Sequence, residues 1–142
     1  MLSKPATIGA WIAQIIAAAI LGMTLPFKFT YAADSQEIFA QLGGRPAATL
    51  IGVFELAAVI LLLVPKTSAI GAVFALGIMG GAIGSHVFVI GFEGVAGEMF
   101  AMALIVTAAA ATAAFLRRRQ IPVIGSRFQP ASVATTEQPQ SA

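Results

Sequence analysis

The sequence predicts an all-α protein: a polytopic membrane four-helix bundle, antiparallel and up-down, with a short amphipathic helix in the first outer loop. Three observations carry this. The chain has 142 residues, of which 58% are hydrophobic and only 10% charged, and its mean hydropathy is +0.92. Soluble domains are usually about a quarter charged, and eight Lys/Arg with six Asp/Glu are too few to cover a water-facing surface. The apolar residues also fall into four long runs separated by short polar breaks. Lipid is the solvent that reconciles such a chain with its backbone hydrogen bonds, and helices satisfy those bonds internally.

The first span runs from Pro5 to Phe27 without a charge. At helical rise it is about 35 Å long, enough to cross a bilayer. It reads as a retained span and not a cleaved leader. Its apolar run is long for a leader, Lys28 precedes any cleavage point, and Thr30-Tyr31-Ala32 is a poor small-x-small match. Gly9, Ala13 and Ala17 give one face for close packing. Trp11 near one end and Phe27, Phe29 and Tyr31 near the other read as interfacial aromatics.

Lys28 to Pro46 forms the one sizeable loop. Asp34 with Glu37 resembles a helix-start capping arrangement, and Ile38, Phe39 and Leu42 share one side of a short helix. A surface helix over Ser35–Leu42, ended by Gly43-Gly44, is expected at the mouth of the bundle. The second span is Ala47 to Val64, bounded by Pro46 and Pro65. The Pro65-Lys66-Thr67 turn is short enough to force an antiparallel neighbour. The third span, Ser68 to Phe92, carries Gly77, Gly81 and Ser85 in one row and Gly80 and Gly84 in another. These rows predict close helix contacts, with Met79 filling an adjacent gap and this helix central in the bundle. A short acidic loop follows, Gly91 to Glu98. The fourth span is Met99 to Leu116, with Thr107 and Thr112 placed to bond back to helix carbonyls. Residues 1–119 thus form the membrane domain. Residues 120–142 form a tail rich in Pro, Gln, Ser and Thr, expected to be disordered from about Gln129.

Four spans put both termini on one side. That side holds Lys4, Lys66, Arg117, Arg118, Arg119 and Arg127, against Lys28 and Arg45 on the other. The bias predicts cytoplasmic termini, with the arginine run setting topology. It also accounts for a basic pI of 9.5 without nucleic acid, since the formal net charge is only +2. The lipid bilayer is the expected partner. Zero cysteines and one histidine exclude disulfides, thiolate metal sites, a dithiol relay and bis-histidine haem within the chain. No metal site is expected.

The informative residues are the ionisable ones inside the spans. Glu55 lies about 13 Å into the second span from the outer face, and His86 about 9 Å into the third. They are at similar depth on adjacent antiparallel helices, with Gly52 and Ala82 leaving room for approach. Glu55 is expected to be ionised against His86, or against Lys28 and Arg45 at the outer mouth, or else protonated. Gln14 is expected to make an interhelical hydrogen bond. Lys28, Glu55 and His86 form the candidate polar site, able to hold a quinone head group, pass protons or bind a small polar solute. The alternative is an ion pair that only fixes helix register.

Three segments carry a family resemblance: GMTLPFKFTYAADSQEIFAQLGGRP, GVFELAAVILLLVP and AIGAVFALGIMGGAIGSHVFVIGFEG. Together with their order over about Ile8 to Arg119, they resemble the DoxX-like family of small bacterial membrane proteins. The positions that match are Lys28, Glu55-Leu56 before a Leu-rich run to Pro65, and His86. The resemblance implies a four-helix protein of the bacterial inner membrane. Some relatives are associated with oxidoreductase systems, including thiosulfate:quinone oxidation and oxidative-stress complexes, and most have no assigned activity. The leading expectation is an accessory or quinone-interacting subunit of a membrane redox system, with quinone as the implied cofactor and no catalytic residue assigned. A small-solute or proton carrier relaying through Glu55 is an alternative. A scaffold for another membrane protein, or a homo-oligomer, is a third.

Overall fold

The computed structural model describes residues 2–122, so Arg127 and the expected disorder from Gln129 lie outside the described residues. The order is α1 (Lys4–Thr30), α2 (Ala33–Phe39), α3 (Gly44–Leu63), α4 (Ser68–Ser85), a π-helical turn (His86–Ile90) and α5 (Val95–Leu116). No strand occurs among the described residues. Helix α1 packs on α3 and α5, and α4 packs on the same two. The four long helices therefore form a closed square in which sequence neighbours are spatial neighbours, as short connections require. All four, counting α4 with its π turn as one, are long and apolar enough to cross a membrane.

Side-chain size is distributed as lipid would favour. The core is mostly alanine, including Ala17, Ala58, Ala72, Ala75, Ala110 and Ala113, joined by Leu21, Leu62, Val106 and Met79. Large apolar side chains such as Ile8, Ile15, Leu50, Phe88 and Phe115 point outward. Small residues inside allow close backbone approach where no water drives helices together.

The inward stripe of each helix has a three-and-four spacing. On α1 it is Gln14, Ala17, Leu21, Thr24 and then Lys28; on α5 it is Ala103, Val106, Ala110, Ala113 and then Arg117. These stripes carry charged residues to both ends of the core.

Several element boundaries differ from the sequence expectation. Helix α1 continues past Pro26 to Thr30, so Lys28 belongs to the helix and not to the loop. Proline removes one hydrogen bond, and α1 absorbs that loss near its end. Helix α2 begins two residues earlier than expected, and its N-cap is Ala32 with no side-chain cap. Asp34 lies inside the first turn, where its charge suits the helix dipole, and the expected capping arrangement does not form. Helix α3 begins at Gly44, so Arg45 and Pro46 fall in its first turn, where N–H groups have no helical partner. Gly43, at φ 110°, makes the reversal between α2 and α3 that other residues would resist. Helix α5 starts at Val95, four residues early, which brings Glu98 into its first turn.

The glycine rows are the largest correction. Helix α4 is the least buried of the four rather than central. A Cβ added at Gly77, Gly80, Gly81 or Gly84 would meet nothing within 4 Å. The glycine that closes the α3–α4 hairpin is Gly71, whose Cβ would lie 2.6 Å from the backbone of Leu61 and Leu62. Thr67 completes that turn by donating its hydroxyl to the Leu61 carbonyl at 3.1 Å.

Candidate functional site

Helix α2 lies across one end of the bundle. Its Ser35 hydroxyl donates to the Phe27 carbonyl at 2.8 Å, and Ile38 and Phe39 pack with Ala48 and Ala96. Beneath it is a cavity of about 740 Å³. Its walls are mostly apolar, with Leu21, Phe74, Met79, Met99, Met102 and Val106 among them, and Asp34 and Ser35 contribute to the roof. Lys28, Glu55 and His86 all line this one space.

Lys28 and Glu55 form an ion pair, with Nζ to Oε2 at 2.8 Å and both side chains largely withdrawn from solvent. Thr24 completes it. Its hydroxyl accepts from Lys28 Nζ at 3.0 Å and lies 3.1 Å from Glu55 Oε2, in donating position. The same hydroxyl also reaches the Leu21 carbonyl at 2.9 Å, so its single proton is shared between two acceptors. Gly52 lets α1 approach: a Cβ there would sit 3.2 Å from the Phe29 ring and 3.4 Å from Lys28 Cβ. The space that the sequence reading assigned to a Glu55–His86 approach is therefore filled by α1, one turn from Glu55.

His86 faces the cavity from the π turn that follows α4, without bonding Glu55. Its Nδ1 lies 3.2 Å from the Gly91 carbonyl oxygen. A carbonyl only accepts, so Nδ1 carries the proton of that bond and Nε2 is left without a protein partner. The ring also packs edge-on against Phe100, at 5.6 Å between centroids. The π turn is closed by the Gly91 N–H bonding back to the His86 carbonyl at 2.9 Å. The histidine is thus held at both backbone and ring, and π turns of this kind recur at functional positions.

A second polar centre lies toward the other end of the bundle. Gln14, fully buried, donates from Nε2 to the Leu62 carbonyl at 2.6 Å, which is the interhelical bond expected of it. Its Oε1 accepts from Arg117 Nε. Arg117 also donates to Gln120 at 3.1 Å and lies over the Trp11 ring at 5.4 Å. Burial lowers its pKa from the ordinary guanidinium value, which is high enough that the group stays charged. Arg117 is a structural clamp as well as a member of the basic run. The sequence reading missed that, although the α5 spacing leads directly to it.

The two centres are separated by seven residues of α3, from Glu55 to Leu62, or about 10 Å. Ala17, Ala18, Leu21, Ala58, Ala75 and Val106 fill the core between them. Among the described residues, no group of three His, Cys, Asp or Glu side chains comes together as a metal site. Comparisons of the chain with protein-family models, curated proteins and solved structures return no match.

Proposed function

We propose that this protein is a DoxX-like protein of the bacterial inner membrane that binds a quinone head group in its α2-capped cavity, as an accessory subunit of a membrane redox system. One observation carries the reading: a largely apolar cavity gathers a charged hydrogen-bond donor, Lys28, and an unpartnered imidazole nitrogen, His86 Nε2, into the same space. Such a pocket, apolar with a few convergent polar groups, is what small-molecule sites look like. A quinone is a flat apolar ring with an oxygen at each end. Lys28 supplies a donor for one oxygen. Neutral His86 accepts from a quinol hydroxyl at the other, and protonated His86 donates to a quinone carbonyl.

The charge distribution supports the sidedness. Lys4, Lys66 and Arg117–Arg119 lie at the end opposite α2, a bias that favours cytoplasmic termini with the cavity in the outer half of the bilayer. A relay through Glu55 is less well supported, because the alanine and leucine layer leaves no polar path from Glu55 to Gln14. Docking to a larger membrane partner, or to a second copy, belongs to the same accessory role.

The test is direct. Protein purified in mild detergent should release quinone into organic solvent, and added quinone should raise its thermal midpoint. The triple variant Lys28→Met/Glu55→Leu/His86→Leu, which leaves no buried carboxylate unpaired, should lose both effects while remaining helical. Neither quinone in the extract nor a quinone-dependent shift in the parent protein would refute the proposal.

A further inference from the structure

The cavity has a side opening, and its position says how a ligand lies in it. The lining residues of α3 and α4 that are exposed are Leu50 and Phe54 on α3, and Val73, Gly77 and Gly81 on α4. Each set repeats at four residues, so each is one stripe along its helix. The helices are antiparallel neighbours, and these stripes flank the seam between them. At the Pro65 turn the seam is shut, because Gly71 lies against the Leu61–Leu62 backbone. Phe54 and Phe74 close it again one turn higher, in an edge-to-face contact at 6.2 Å. Above Phe74 the exposed α4 stripe carries no side chain: a Cβ at Gly77 or Gly81 would meet nothing within 4 Å. Gly77 and Gly81 lie about 14 and 20 Å along α4 from Ser68. The opening therefore faces the hydrocarbon of a bilayer about 30 Å thick, not its aqueous surface.

We infer that the α3–α4 seam is a lateral slot through which a long-chain amphiphile enters from the bilayer, its tail lying between Leu50–Phe54 and Gly77–Gly81 while its head reaches Lys28 and His86. This rests on the quinone-binding reading and specifies the ligand as tailed and membrane-borne. A head group with a short substituent fits wholly within the cavity. A long polyprenyl chain does not, and must leave by the slot. The glycines keep the slot open because any larger side chain at those two positions projects into it.

The experiment uses the full chain in lipid nanodiscs, with two probes: a ubiquinone bearing a single isoprenyl unit and one bearing a full polyprenyl tail. Gly81→Leu and Gly77→Leu fill the slot. Gly80→Leu, one position round the helix and absent from the cavity lining, is the control, with equally open space for its side chain. The slot variants should bind the long-tailed probe at least about tenfold more weakly, the scale of a steric misfit, and hold the short probe as the parent does. Gly80→Leu should change neither. If the parent binds the short probe and the slot variants bind both probes unchanged, or lose both equally while keeping the parent's thermal midpoint, the slot is refuted and the head-group site stands. If the parent binds neither probe, the head-group site fails and the slot fails with it.

Discussion

Lys28 and Glu55 pair at 2.8 Å between two apolar helices, with both side chains largely withdrawn from solvent. A charge within the bilayer is costly unless paired, and Thr24 adds a hydrogen bond to each partner. Removing one member should be worse than removing both. Glu55→Ala should destabilise the bundle by roughly 3 kcal/mol or more, because Lys28 is left buried without a counter-charge. The double variant Lys28→Met/Glu55→Leu should recover most of that loss, since replacing both members of a buried pair by apolar groups is often nearly neutral. Reversible unfolding in mixed micelles measures both, and equal losses in the single and double variants would show that the pair does not couple. The ion pair was legible in part. Lys28, Glu55 and His86 stand out as charged or titratable groups beside long apolar runs, and Lys28 is among the partners the sequence offers Glu55, but stopping α1 at Phe27 leaves the choice between Lys28 and His86 open. Once α1 passes Pro26, Thr24 and Lys28 are one turn apart on the face that already holds Gln14 and Leu21. Which neighbour Glu55 would take depended on that single extra turn.

At the scale of elements, four glycines that look like packing residues are not, and one that did not stand out is. Spacing alone cannot separate a glycine face pressed on a neighbour from one left open, because both read as small residues four apart. The distinction lies in whether a neighbouring helix covers the glycine, as α3 covers Gly71 and nothing covers Gly77, Gly80, Gly81 or Gly84, and no local pattern encodes it. Gly71→Val should force α3 and α4 apart at Leu61–Leu62 and lower stability by about 1–3 kcal/mol, the range for overpacked sites. Gly80→Ala should be neutral, or should stabilise by up to about 1 kcal/mol from helix propensity. Thermal unfolding of the two variants side by side reads the contrast. The long helices themselves were readable from hydropathy and prolines, with ends off by up to four residues. Those errors fall where caps are made by backbone geometry, as at Gly43 and Gly94, and not by a recognisable side chain.

The whole molecule is a square of four helices, closed at one end by α2 and clamped near the other by Gln14 and Arg117. Its lack of cysteine makes sidedness easy to test with single introduced thiols. Gln36→Cys on α2 and Lys66→Cys in the α3–α4 turn are both exposed positions. In intact cells a membrane-impermeant maleimide should label position 36 and not position 66, and in inverted vesicles the pattern should reverse. Labelling of both from one side would contradict the up-down arrangement. The up-down arrangement followed from the count of spans and the shortness of their connections. The cavity did not, because it is a property of how the α3–α4 seam opens.

The clamp at Arg117 bears on how the protein is made. A ribosome delivers the chain from its amino end, so Gln14 and Leu62 are made before the fourth span. Gln14 can join α1 to α3 at that stage, but its oxygen has no partner until residue 117 emerges. The first arginine after the last span then reaches across to the first span and ties α5 to α1. A chain halted before that arginine would lack the donor that answers the buried Gln14 oxygen, a mark by which an unfinished protein differs from a finished one.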